Sequence, residues 1–436
     1  MLTEAERTVL KKIEAGQKEL LDSLATLVSF KTVTPAAGST GDGQSGEYVR
    51  CQEYIATLLK DVGIEKTDSW TIDCAKLKTF PGSGVISDRD LTDIPVLVGV
   101  LKGTGRGAGK SMILNGHYDV VSPGEIENWS HNPFEAAIEG NRLFGRGACD
   151  MKGGIAAMIF ALKCIRASGL ALQTDVIVES VPEEELTSMG TLACCQRGYK
   201  AQAALIPEPT ELNPLIAMRG NLNGKITVFG RAGHGDMPQP HWSEGGAVNA
   251  ISKAVKILQA LDDLTEEWRT RPDKQHKLLP PDMVLPTLIH GGKWIIMYPE
   301  KCEIEFNSDF IPSTKNLKEE IEEKIRYVAA GDSWMREHPP LFETNPWLYG
   351  AEIDENDPIV KTAFAASQDI GHDPKIIGMG SLTDAIHLIN HAKTPTVTIG
   401  PGGGGFHEPD EFVYIDSLLS TAKIVALCLM RWCGYG

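Results

Sequence analysis

Residues 179–190 read ESVPEEELTSMG, and Glu183, Glu184 and Glu185 stand side by side at the end of an apolar run. Adjacent carboxylates repel one another unless water screens them or a positive charge lies close. A solvated turn and a cation-binding turn are both consistent with the triplet alone. Four other short stretches carry residues of the same chemical kind. ILNGHYDV places His117 and Asp119 two apart at a strand end, where their side chains point the same way. An imidazole backed by a carboxylate is how a metal-bound His is held in one tautomer, and it is also an ordinary structural hydrogen bond. GRGACDMKGG sets Asp150 on a Gly-rich turn before a helix, as a metal ligand or as an N-cap. IPEPT fixes Glu208 between two prolines, and GFHEP puts His407 directly after the glycine run 402–405. Two His, an Asp and two Glu suit a divalent cation bound through nitrogen and oxygen, zinc first among them.

These residues can meet only if the elements carrying them end on one edge. KSMILNGHYD, TDVIVESVPEEE and QAALIPEPT read as strands, and KGGIAAMIFALKCIRASG as a helix of small and apolar residues. Alternating strands and helices predict an α/β domain with a mostly parallel central sheet. In such a sheet the strands' C-terminal ends form the ligand-binding edge, and each candidate lies at such an end or just beyond it. After about residue 216 the texture changes. NGKITVFGRAGH and CEIEFNSDF alternate like antiparallel strands, with helical patterns from Gly246 to about Thr270 and over NLKEEIEEKIRYVAA. The α/β texture returns from Asp354. The expected organisation is a catalytic domain of residues 1–216 and 354–436, interrupted by a smaller α+β domain of residues 217–353.

With 42 Lys plus Arg against 58 Asp plus Glu, the formal charge of −16 argues against a nucleic-acid or anionic-membrane partner. Nine scattered cysteines with no Cys-x-x-Cys spacing read as reduced thiols. No apolar run reaches membrane-spanning length and the first twenty residues are charged throughout, so the expected location is cytoplasmic.

Taken together, NGHYDVV, ENWSHNPFEAAIEGNRLFGRGACDMKGGIAA, VPEEELTSMGT, IPEPT, GRAGH, LTDAIHL and TVTIGPGGGGFHEPDEFV resemble one family across nearly the whole chain and in its order. This is the family of dinuclear zinc hydrolases that includes acetylornithine deacetylase, succinyl-diaminopimelate desuccinylase, aminoacylase and glutamate carboxypeptidases. The resemblance implies a zinc-binding domain interrupted by a lid that dimerises. It implies two Zn2+ per chain, replaceable by Co2+. His117 and Glu208 would serve one ion, Glu185 and His407 the other, and Asp150 would bridge both. Asp119 would hydrogen-bond and orient His117. The downstream Gly190-Thr191 fixes the register of the triplet, making Glu184 the general base and Glu183 a supporting residue. His234, in GRAGHGDMP, matches a lid histidine that reaches the partner subunit's site. A metal pair lowers the pKa of a bound water toward about 7. Glu184 would accept that water's proton and pass it to the leaving amine, while His234 helps hold the developing oxyanion.

Two positions depart from the family pattern. Asp309, in FNSDFIP, stands where an Arg often grips a substrate carboxylate, and Ile296, in KWIIMYPEKC, stands near the place of an Asn. Asp309 either faces the pocket and disfavours carboxylates or pairs with a cation of its own domain. Asp309 and Gly403 are carried as candidate substrate contacts, with Trp294 and Ile296 as apolar neighbours. The expected activity is hydrolysis of an amide in a small N-acylated amine or amino acid. A dipeptidase or carboxypeptidase is the alternative. A protein that only binds metal would lack a ligand or the base, and every expected one is present.

Overall fold

A computed structural model describes residues 1–34, 45–86 and 89–436, with the side chain of Ser45 left out. The chain forms two compact units: residues Met1–Ile216, Glu352–Gly378 and Thr383–Gly436 in the first, and Ala217–Ala351 with Met379–Leu382 in the second. The short return of 379–382 to the second unit has no counterpart in the sequence pattern.

The first unit is built on a sheet whose centre is parallel. Strand Met112–His117 lies between Val176–Val181 and Ala203–Ile206, and the latter pairs in parallel with Thr396–Thr398. Outside this centre Pro95–Leu101 and Thr67–Thr71 pair antiparallel, as does Leu215 with Thr398 on the other side. The sheet is therefore mixed rather than mostly parallel. Every residue of Met112–His117 and Val176–Val181 is buried, the signature of strands covered on both faces. Helix Lys152–Ala167 buries nearly its whole circumference, against the C-terminal helix Ile415–Cys433, the helices Glu4–Ala15 and Gln17–Ser29 and strand Met112–His117, as its small and apolar residues require. No helix among the described residues is long and apolar enough to cross a membrane.

The second unit is a four-stranded antiparallel sheet in the order Met283–Gly291, Lys301–Phe310, Gly220–Phe229, Leu341–Thr344. Strand Lys301–Phe310 alternates strictly, with Cys302, Ile304, Phe306, Ser308 and Phe310 buried. Helix Ala250–Trp268 buries Ala250, Ala254, Ile257, Leu261, Leu264 and Trp268, a three-four spacing that puts one stripe on the core. Helix Leu317–Gly331 packs beside it through Leu317, Ile321, Ile325 and Ala329.

Candidate active site

The parallel centre delivers its side chains to one edge. His117 is the last residue of its strand, the glutamate triplet follows Val181, and Glu208 follows Ile206 by one proline. His117 Nδ1 donates 3.0 Å to the main-chain oxygen of Asp119. That bond keeps a proton on Nδ1, so in the neutral ring Nε2, which faces the cluster, is the nitrogen that can bind a metal. The expected contact through the Asp119 carboxylate is replaced: its Oδ1 stands 3.7 Å from Nδ1, beyond hydrogen-bond reach. The carboxylate instead accepts from the Thr34 hydroxyl at 2.5 Å and from the main-chain N–H groups of Glu184 and Glu185 at 3.3 Å each. It holds the triplet's backbone, because a fixed strand-end carboxylate is the nearest acceptor for those two donors.

Around His117 Nε2 converge Asp150 Oδ1 at 3.1 Å, Glu208 Oε1 at 3.2 Å and Glu184 Oε2 at 3.9 Å. The other oxygen of Asp150 lies 3.4 Å from His407 Nε2, and Glu185 Oε2 lies 3.0 Å from the same nitrogen. One carboxylate thus faces both imidazoles. Donor atoms of His117, Glu184 and Glu208 lie within 4.8 Å of one another, and so do those of His117, Asp150 and Glu185. Asp150 does not cap the helix that follows it: Met151 occupies the N-cap and no side chain bonds there. The Asp150–Met151 peptide is cis.

Burial, mutual repulsion and hydrogen bonds shift the ionisation of the clustered Glu and His residues. Glu184 is pushed well above the usual carboxylate range, by burial first and then by the charges of Glu208, Asp384 and Glu185 against the opposing pull of His117. Glu208 rises to about 7, chiefly by burial. Burial opposes a charge on His117, yet the Glu208 carboxylate and the bonds to Asp150 and Glu208 hold it well above its ordinary value. Hydrogen bonds to Asp150 and Glu185 lift His407 to about 10. Four carboxylates packed with two imidazoles need compensating positive charge. Two dications carry four positive charges against the four of Asp150, Glu184, Glu185 and Glu208. The donor set of imidazole nitrogen and carboxylate oxygen fits such ions.

Glu183 answers to a different partner. Its backbone is left-handed, with φ of 71°, and its side chain is buried against Arg89, whose Nε donates to Oε2 at 3.0 Å and whose second guanidinium nitrogen donates to Oε1. Burial still raises its pKa, with Arg89 pulling the other way. Arg89 lies 94 residues away in sequence, so no local pattern pointed to it. Sequence reasoning also passed over Glu411, which lies in a quoted motif and accepts hydrogen bonds from the main chain of Asp150 and its neighbours.

In the second unit His234 is exposed on a two-residue strand paired with Met297–Tyr298. Its Nδ1 accepts from the main-chain N–H of Asp236 at 3.2 Å, which places the proton on Nε2 and makes that nitrogen a donor. Asp309 pairs with Arg219 at 3.2 Å and accepts from Asn221 at 2.8 Å and Asn307 at 3.2 Å. Of the two readings of Asp309, the structure shows pairing with a cation of its own unit, Arg219. Gly403 is a packing glycine, because a Cβ there would stand 2.2 Å from the Phe412 carbonyl oxygen and 2.6 Å from Cys149 Sγ. Trp294 is exposed, with Ile296 beside it.

Comparison with known proteins agrees with this geometry. The profile described as peptidase family M20/M25/M40 matches residues 113–431. The chain is 31% identical over 444 residues to an N-formyl-4-amino-5-aminomethyl-2-methylpyrimidine deformylase of Halalkalibacterium halodurans, covering 98% of this chain and 97% of the relative. It is 30% identical to the protein of the same name from Bacillus subtilis, covering 97% of both. Among solved structures it is similar to a tripeptidase from Staphylococcus aureus, with a TM-score of 0.71 at 17% identity over 96% of this chain and 98% of that one. Human carnosine dipeptidase 1 superposes with a TM-score of 0.68 at 16% identity over 98% and 99%. These last two similarities speak for the fold. The chain belongs to peptidase family M20/M25/M40 and is a metal-dependent hydrolase of amide bonds.

Proposed function

We propose that this enzyme removes a small acyl group, formyl foremost, from an N-acylated aminomethyl group carried by a heteroaromatic ring. The observation that carries the reaction is the convergence of His117, Asp150, Glu185, Glu208 and His407 around Glu184 on one sheet edge. Full-length similarity to two N-formyl-aminomethylpyrimidine deformylases supports the substrate class.

In this reading His117 and Glu208 would hold one ion and Glu185 and His407 the other, with Asp150 serving both. The ions are zinc, with cobalt able to substitute. When bound they supply an acidified water and polarise the amide carbonyl. Glu184, whose carboxylate lies 3.9 Å from His117, would take a proton from the attacking water and return it to the leaving amine. Asp119 fixes the Glu184 backbone and, through its carbonyl oxygen, the His117 tautomer. Nε2–H of His234 donates to the developing oxyanion.

His234 acts across a homodimer formed lid to lid. Supporting this, the edge strand Met283–Gly291 exposes Leu285, Leu288 and Ile289 at 48%, 51% and 49%, beside Ile251 and Val255 of the adjoining helix. An open apolar edge strand is a pairing surface. Nine cysteines without a disulfide among them are consistent with a cytoplasmic location.

The test is a panel of kcat/KM values on the zinc-loaded enzyme for an N-formyl aminomethylpyrimidine, N-acyl amino acids and dipeptides. The N-formyl amine is expected to exceed the other classes by at least about 100-fold, the scale at which an active site separates substrates by contacts made or lost. A dipeptide turned over best would replace this reading with a peptidase.

A further inference from the structure

Glu411 takes no part in the chemistry above, yet it is among the most heavily hydrogen-bonded carboxylates in the molecule. Its side chain is 1% exposed. Oε1 accepts from the main-chain N–H groups of Cys149 at 3.0 Å and Asp150 at 3.1 Å. Oε2 accepts from Gly147 N–H at 3.0 Å and from Arg146 Nη1 at 2.7 Å. Its main-chain oxygen accepts from Gly145 N–H at 2.9 Å. Arg146 in turn reaches back with Nη2 to the main-chain oxygen of Glu408 at 3.1 Å, one residue beyond His407, and lies over the Trp129 ring at 5.1 Å. The ion pair therefore ties the turn that carries Asp150 to the turn that carries His407.

Both turns need holding. His407 and Asp410 are non-glycine residues with φ of 59°, a conformation that costs about 1–3 kcal/mol per residue and persists where surrounding bonds over-determine it. Asp410 is pinned by the backbone and hydroxyl of Ser130 at 2.7 and 2.8 Å. At the other end of the clamp, Asp150 shows one oxygen to His117 and the other to His407. A rotation of its backbone would spoil both contacts.

We propose that Glu411, with Arg146, is a positioning residue that sets Asp150 against His407 and so builds the second of the two metal sites. Four donors on one buried carboxylate fix the orientation of the Asp150 peptide, and the Arg146 link fixes its distance from the His407 turn. This rests on the reading of Asp150 and His407 as metal ligands given above. Partners that orient a ligand in this way typically contribute about 10- to 100-fold to metal affinity.

The experiment titrates metal-free protein with Zn2+ against a chromophoric chelator to obtain both binding constants, and records the visible spectrum of the Co2+-loaded protein. The variants are Glu411→Gln, Asp150→Asn and Glu6→Gln. Glu6 is a control of the same kind, a buried carboxylate paired with Arg431 at 2.7 Å. Glu411→Gln is expected to weaken the second ion by about 10- to 100-fold with a smaller effect on the first, and to change the cobalt spectrum. Glu6→Gln is expected to lower thermal stability and leave both constants alone. Should Glu411→Gln not fold, Arg146→Lys, which keeps the charge and loses the fork, is expected to move the second constant in the same direction by less. Unchanged constants and spectrum in the folded variant, or an equal loss in Glu6→Gln, would overturn the positioning role. If Asp150→Asn keeps both ions, the ligand assignment fails instead.

Discussion

The glutamate triplet divides its work residue by residue. Glu183 is bound to Arg89, Glu184 faces His117, and Glu185 faces His407. Three substitutions to Gln should therefore fail in three different ways. Glu183→Gln leaves a guanidinium buried without its counter-charge, a loss of up to about 3–5 kcal/mol, so it should appear as a lower denaturant midpoint with turnover largely kept. Equal midpoints for variant and parent would remove Arg89 as its essential partner. Glu185→Gln should lower metal content toward one ion per chain, read by elemental analysis; two tightly held ions would exclude it as a ligand. The types and order of the candidate site residues were legible in sequence, because strand-end His, Asp and Glu are local features. Arg89 and Glu411 were not, because their roles come from contacts 94 and more than 260 residues distant. The Asp119 bond was misread for a related reason: sequence names the residue but not whether its carboxylate or its carbonyl oxygen faces the ring.

Among elements, those with clean periodicity were legible. The buried apolar strands, the helix Lys152–Ala167 and the alternating strand Lys301–Phe310 all follow directly from pattern. The strand Met283–Gly291 was missed. Pro286 interrupts it and the register shifts between Pro286 and Leu288, features tolerated at a sheet edge and misleading in a sequence window. That edge strand carries the exposed apolar residues of the proposed dimer surface. Leu288→Lys should put a charge into that pairing surface and convert the dimer to monomer, measured by light scattering, with the second unit still folded. It should also lower turnover, because His234 would lose the site it serves. A dimer of unchanged mass and affinity would move the interface elsewhere.

At the scale of the whole molecule, a mixed sheet brings the candidate ligands together, and the proposed ions would hold them there. Chelation should abolish hydrolysis and lower thermal stability, by about 4 kcal/mol where free metal had exceeded its Kd a thousandfold. Restoring Zn2+ should restore both, and full activity in the chelated protein would end the account of the site. The most direct test joins metal content to turnover in one sample. Glu184→Gln keeps the size of the side chain and removes the proton acceptor. Elemental analysis should find two divalent ions per chain, as in the parent, while kcat for the N-formyl amine falls by about 10²- to 10⁴-fold. Near-parental kcat with both ions in place would contradict the central claim that Glu184 carries the proton in metal-dependent amide hydrolysis.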